Sequence, residues 1–243
     1  MPLSPLAPEP ARTAHELLAE VRPQERAGAD RPFVFVNMIA TADGRAALEG
    51  STRPLGGEAD LELLLELREI ADAVLIGTGT LRAEGYARLV RSEERRARRI
   101  AAGLAPDPVA VLISRRFDIP WEAGMFQASE QPVLIYTGTA GAVPDVPAPV
   151  EVVVVDDPAP ATALADLRKR GVRALGCEGG PTLLGALVAA EVVDELYLTI
   201  APLLTGDEAE PTIVSGGTLP QPVGMELLWT LRSGSELFLR YGL

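Results

Sequence analysis

The sequence predicts an α/β fold: a mixed, mainly parallel β-sheet covered by helices on both faces and closed by a C-terminal antiparallel hairpin. Three observations carry that expectation. Short apolar, β-branched runs alternate with helical patterns along the chain. The runs are apolar at nearly every position rather than at every second one, as in "DAVLIG" and "VEVVVVD", so each strand is buried on both sides. The last two runs flank Ser233 and Gly234, a turn short enough for a hairpin.

Residues 1–30 are rich in proline, alanine and charge, with one short amphipathic stretch at 11–22, and read as an N-terminal extension. One domain is expected over 31–243. "PFVFVNMIA" (32–40) is its first strand, "EADLELLLELREIA" (58–71) a helix and "DAVLIGTGT" (72–80) a second strand ending in small residues. "SEERRARRIAAG" (92–103) is a charged, exposed helix. Apolar strands follow at 107–114, 131–138 and 150–156, then a helix at 160–171 stopped by Gly171. A strand at 172–178, a helix at 181–191 and strands at 193–204, 222–233 and 235–243 complete the order.

Composition excludes several function classes. No apolar run reaches the ~18 residues needed to span a bilayer, and "MPLSPLAPEP" lacks the pattern of a secretory leader. A soluble, cytoplasmic protein that does not enter a membrane is expected. The formal charge of −12 provides no basic excess for wrapping nucleic acid. The chain has one cysteine, Cys177, and one histidine, His15. A disulfide within the chain and a Cys/His zinc site are therefore excluded, and no metal is expected. A Ser-His-Asp or Cys-His arrangement would need His15 to reach the core from an N-terminal helix. It reads instead as a solvated residue.

The motifs that carry chemistry lie at strand ends. In "CEGGPTLLGAL" (177–187) a strand meets a glycine turn, Pro181 stands at the first helical position, and an apolar helix follows. Such a helix start presents free N–H groups and suits an anion, though an ordinary strand-to-helix turn favours the same residues. "LIGTGTLRAEGY" (75–86) places a second glycine turn with two hydroxyls at the end of another strand. No lysine follows, so it is not a Walker P-loop, and the G-x-G-x-x-G dinucleotide fingerprint is absent. Two such turns at strand ends still mark a ligand site, because open α/β sheets bind ligands there. In "NMIATADGR" (37–45), Asp43-Gly44 is a common turn pair, while Asn37 is a polar side chain in an apolar strand and needs a partner. Arg68 falls with Leu61, Leu64 and Leu65 on one helical stripe, where it either snorkels to water or meets an anion. Ser114, Arg115 and Arg116 close the strand "VAVLIS", as a 2′-phosphate site or as a solvated loop.

Taken together, "FVNMIATADGRAA", "LREIADAVLIGTGTLRAEGY" and "EGGPTLLGALVAAEVVDELYLTIAPLLTG" resemble, in order and over nearly all of 31–243, the C-terminal reductase domain of the bifunctional riboflavin-biosynthesis deaminase/reductase, a domain of the dihydrofolate reductase-like superfamily. The resemblance implies a homodimer, NADPH as hydride donor, and reduction of the ribosyl group of 5-amino-6-(5-phosphoribosylamino)uracil. It puts Ile39, Pro54, Thr78, Gly79, Thr80 and the turn Gly179, Gly180, Pro181, Thr182 and Leu183 on the cofactor. Glu84 stands in place of a family aspartate near the nicotinamide, and Ser114 with Arg115 stands near the 2′-phosphate. Asn37, Asp43, Thr52, Arg68 and Glu178 fall on the substrate side, with Arg68 as the 5′-phosphate partner. Asp43, Glu84 and Glu178 are the carboxyl groups offered as proton donor.

The chain departs from the family pattern at "TADG" for "SLDG", at Glu84-Gly85-Tyr86 for Asp-Asn-Pro, and at Pro54 for an aromatic residue. These changes line the pocket and leave two alternatives open: a dihydrofolate or pteridine reductase on the same scaffold, and an NADPH-binding dimeric sensor without turnover. With one His and one Cys, this chain cannot carry the zinc deaminase signature.

Overall fold

The computed structural model describes residues 10–219 and 221–243. Nine strands form one sheet: β1 (Phe33–Thr41), β2 (Ala73–Ile76), β3 (Val109–Ser114), β4 (Val133–Thr137), β5 (Val150–Val154), β6 (Ala174–Cys177), β7 (Glu195–Ala201), β8 (Glu226–Ser233) and β9 (Glu236–Gly242), in the spatial order β5-β4-β3-β2-β6-β1-β7-β9-β8. The pairings from β5 to β7 are all parallel, and β9 lies antiparallel between β7 and β8. This is the mixed, mainly parallel sheet with a closing hairpin that the sequence predicts.

Alternation along β1 divides the core. Phe33 and Phe35 pack on one face with Leu63, Leu67, Leu81 and Phe126, while Val34 and Val36 pack on the other with Leu164, Leu167, Leu184 and Leu187. The first face is covered by α2 (Glu58–Ile70) and α3 (Thr78–Glu84), the second by α5 (Pro160–Lys169) and α6 (Pro181–Ala189). The chain runs outward from β2 to β5 and then returns to insert β6 between β1 and β2. Right-handed crossovers in opposite directions put their helices on opposite faces.

Helix α4 (Glu93–Ala101) packs on α2 through charges rather than leucines. Arg98 Nε donates to Glu69 at 2.7 Å, Arg95 pairs with Glu66, and both glutamates are buried. Arg99, 1% exposed, caps the end of α2: its Nη1 donates to the carbonyls of Arg68, Glu69 and Ala71 at 2.8, 2.7 and 2.7 Å. Burial lowers its guanidinium to about 10, so it remains charged at neutral pH.

Two expectations need correction. The strand expected to run to residue 80 stops at Ile76, and Gly77 caps a helix whose first residue is Thr78. Small residues after an apolar run suit a strand end, but Gly77 is an extended N-cap and "TGTLRAE" continues as helix. The stripe through Leu61 also fails: Leu61 is 54% exposed, and the buried face of α2 carries Leu63, Glu66, Leu67 and Glu69. Arg95 and Arg98 neutralise the two glutamates and so turn an apparently polar face inward.

Within the expected N-terminal extension, residues 1–9 lie outside the described residues. From residue 14 the chain packs on the body, with α1 (Ala14–Leu18) against α2 and Leu18 and Val21 in the core. His15, half-exposed, meets Glu66 at 3.1 Å. Arg26 pairs with Glu195, which is fully buried and also receives Arg240 at 2.7 and 2.9 Å. Among the described residues, no helix is long and apolar enough to cross a membrane.

Candidate active site

A cleft of about 920 Å³ runs across the carboxyl ends of the parallel strands, at the point where β6 was inserted between β1 and β2. That is where an open α/β sheet leaves room for a ligand. Its floor is made by two glycine turns in contact. A Cβ on Gly77 would come within 3.3 Å of Gly180 N, and one on Gly180 within 2.8 Å of Thr80 Oγ1. The glycines thus let the turns at the starts of α3 and α6 pack together, and they leave backbone amides at both helix starts facing the cleft. Thr78, Gly79, Thr80, Gly179, Gly180, Pro181, Thr182 and Leu183 all line it, as do Ile39 and Arg115.

The polar wall is built from three elements. Glu84, at the end of α3, accepts from Thr52 N at 2.7 Å and Thr52 Oγ1 at 3.1 Å, and so ties the 51–53 loop to the helix. Glu178, one residue past β6, holds Arg68 in a two-pronged pair: Nε to Oε1 and Nη2 to Oε2, both 2.6 Å. Tyr86 stacks its ring under the same guanidinium at 5.3 Å. Burial opposes the charge of Arg68, but the Glu178 carboxylate outweighs it and raises its pKa. Burial, and then the charge of Glu178, raises the Tyr86 hydroxyl well above its usual range, so it stays neutral. Burial likewise pushes the Cys177 thiol up to about 12, which leaves it unreactive.

The expected site residues therefore fall into two groups. Asn37, Thr52, Glu84 and Glu178 line the cleft together with the glycine turns. Asp43, Pro54, Arg68 and Ser114 do not. Asp43 is exposed and anchors the 205–206 turn, accepting from Thr41 Oγ1 at 2.6 Å and Gly206 N at 2.8 Å. Those bonds, the Thr41 hydroxyl foremost, hold its carboxyl far below the usual range. Pro54 is exposed, and Ser114 Oγ accepts from Asp118 N at 2.9 Å to shape the turn after β3. Arg68 meets its anion, but that anion is Glu178.

Tyr86 lines the cleft as the departures from the family pattern implied, whereas Asp60, Leu64 and the segment 210–219, which lines it through 210–211 and 215–219, carry no expectation from the sequence. Ser215 N donates to Pro181 O at 3.0 Å, and a Cβ on Gly185 would strike Ser215 O at 2.2 Å, so a glycine on α6 is what admits the segment. The signal was present in "SGGT" (215–218), a second glycine pair beside polar side chains, as at 178–182.

A parallel sheet whose carboxyl edge carries two glycine turns at helix starts and a hydrogen-bonding wall has its ligand cleft where open α/β sheets place one. The RibD C-terminal domain family model matches residues 32–239, and this chain belongs to that family. It is 29% identical to the 2,5-diamino-6-ribosylamino-4(3H)-pyrimidinone 5′-phosphate reductase of Archaeoglobus fulgidus, over 87% of this chain and 99% of the relative. It is 32% identical to riboflavin biosynthesis protein RibD of Mycobacterium tuberculosis over 72% of this chain, and spans 43% of that relative. Among solved structures, a pyrimidine reductase-like protein of Corynebacterium diphtheriae superposes with a TM-score of 0.81 at 24% identity, covering 95% of this chain and 98% of the other.

Proposed function

We propose that this chain is an NADPH-dependent reductase of riboflavin biosynthesis that acts on the ribosyl group of a 5′-phosphorylated aminopyrimidine. The observation that carries the reading is the cleft itself, with the apposed glycine turns on one side and the Asn37, Thr52, Glu84 and Glu178 wall on the other. The residues fit a dinucleotide: past the Gly179–Gly180 turn Pro181 carries no N–H and Leu183 N is bonded to Gly180 O, so Thr182 N is the amide of the first turn of α6 left for a pyrophosphate, and Arg115 offers its charge to a 2′-phosphate. NADPH would supply the hydride. The chain supplies position. Glu178, fixed by Arg68, accepts hydrogen bonds from sugar hydroxyls at the reacting end. Glu84 holds the loop that carries Thr52. Asp43 shapes a turn, and its depressed pKa removes it as a proton donor at neutral pH. The proton that completes the reduction reaches the sugar from water or from Glu84. A 5′-phosphate on Arg68 would have to share its guanidinium with Glu178.

The experiment is NADPH oxidation by purified protein, followed by absorbance, with the diaminopyrimidinone riboside phosphate, its deaminated uracil counterpart and dihydrofolate in parallel. Turnover of a pyrimidine supports the reading. Turnover of dihydrofolate alone, or NADPH binding without turnover of any, refutes it.

The expected homodimer has support at the β8 edge, where Met225, Leu227 and Leu228 are 47, 50 and 41% exposed beside unpaired strand backbone. A Leu228→Glu exchange should halve the mass measured by light scattering; an unchanged mass would place the contact elsewhere.

A further inference from the structure

Reduction of a ribosylamine at C1′ needs more than hydride. The C1′–O4′ bond must open, and O4′ must gain a proton as it leaves, because a bare alkoxide is a poor leaving group. The cleft must therefore offer an acid that still holds its proton at neutral pH. Among the described residues its lining contains no histidine, cysteine or lysine, and it contains one tyrosine, Tyr86.

Tyr86 is fixed in the fold. Its carbonyl accepts from Met125 N at 2.7 Å, and a Cβ on Gly124 would come within 3.3 Å of the same oxygen, so a glycine lets the two segments meet. Its ring lies 5.3 Å from the Arg68 guanidinium. Its hydroxyl stands beside Glu178 and within the field of Glu84. Each Glu178 oxygen takes one prong of Arg68, and Glu84 takes the amide and hydroxyl of Thr52. The phenol is thus the acid at the reacting end of the cleft that no ion pair consumes.

We propose that Tyr86 is the general acid of this reaction, and that its hydroxyl protonates O4′ as the C1′–O4′ bond breaks. The inference rests on the reductase reading above. The electrons of the broken bond stay on O4′, and the nitrogen lone pair forms a C1′=N bond, which gives an open-chain iminium. C1′ then accepts the hydride, and the π electrons return to nitrogen. The sugar gains one hydride at C1′ and one proton at O4′, as the balance requires. The phenolate lies against the Arg68 cation. It recovers its proton from water or from Glu84, so that proton reaches the sugar by way of Tyr86. Burial, and then the charge of Glu178, keeps the resting phenol neutral. It yields its proton to a stronger base, and the departing alkoxide is one.

Tyr86→Phe keeps the ring against Arg68 and removes the acid. It should lower kcat at least about 100-fold, with KM, NADPH affinity and melting temperature near those of the wild type. NADPH deuterated at the transferred position separates the roles. Ring opening should limit the variant, so its isotope effect on kcat should lie near unity. A residue that merely braces Arg68 and Glu178 would slow hydride transfer instead, and the variant would show a full isotope effect. Tyr86→3,5-difluorotyrosine tests the proposal without removal of the hydroxyl, and decides it if Tyr86→Phe does not fold. An acid must be protonated to act, so activity is lost as pH rises through its pKa. The wild type should hold its rate to at least about pH 9, and the more acidic difluoro variant should lose it at lower pH. A Tyr86→Phe rate close to wild type, a full isotope effect in that variant, or coincident pH profiles overturns the proposal and leaves the reductase reading intact. Failure of the wild type to turn over either pyrimidine overturns both.

Discussion

Exchange of Glu178 for alanine is expected to destabilise the protein by about 3–5 kcal/mol and to abolish measurable turnover. The Glu178 side chain is 7% exposed and the Arg68 side chain that it holds is 13% exposed, so its removal leaves a largely buried cation with the Leu89 carbonyl, at 3.3 Å, still accepting from it. Chemical denaturation gives the stability and the NADPH-coupled assay the rate. The double variant Glu178→Met with Arg68→Met separates the two effects. Removal of both charges spares the desolvation that each single change leaves uncompensated, so stability should recover while activity does not. A single Arg68→Met variant tests the phosphate role. If the guanidinium serves substrate phosphate as well as Glu178, KM should rise more for the phosphorylated substrate than for its dephosphorylated form. Equal rises would confine Arg68 to holding Glu178.

Exchange of Arg99 for alanine should cost about as much, about 3 kcal/mol or more, with a fall in Tm on the order of 10 °C. Four carbonyls lose a charged donor: those of Arg68, Glu69 and Ala71 at the end of α2, and that of Ala105 at 2.9 Å. A cavity is left where a fully buried side chain stood. Arg99→Lys should recover part of the loss, because one ammonium can serve the three α2 carbonyls that Nη1 serves but not Ala105 O, which takes Nε. A Tm within a degree or two of wild type in Arg99→Ala would show that the α2 end is held by other contacts. The substitution lies outside the cleft but loosens the backbone of Arg68, so turnover should fall with stability.

The middle of the sheet was legible because β2, β3, β4 and β6 are short, nearly continuous apolar runs, and continuity survives any choice of neighbour. The two glycine turns were legible for the same local reason: strand, glycine, hydroxyl and helix stand next to one another in the chain. Pairings across long separations were not. Arg68 showed that it needed an anion, but nothing within its helix named Glu178, 110 residues away. The inward face of α2 was misread because Glu66 and Glu69 are polar by type and buried by virtue of two arginines on another helix. Helix α3 was missed because its first residues, Thr78, Gly79 and Thr80, have poor helix propensity; the apposed turn at Gly180 holds them in place. Asp60 drew no attention because an acid in the first turn of a helix is ordinary, and only the packed structure places it on the cleft.

The late insertion of β6 has a consequence for how the chain is made. During synthesis, β1 and β2 emerge with a strand-wide gap between them, and β3, β4 and β5 can add only to the far side of β2. The gap closes when residues 174–177 arrive and pair Phe33 with Ala174 and Ala73 with Leu175. Until then two central strands carry open, apolar edges of the kind that aggregate. These long-range pairings should make the closing step slow. The same step brings Glu178 to Arg68, so the ligand site and the middle of the sheet are completed in one folding event.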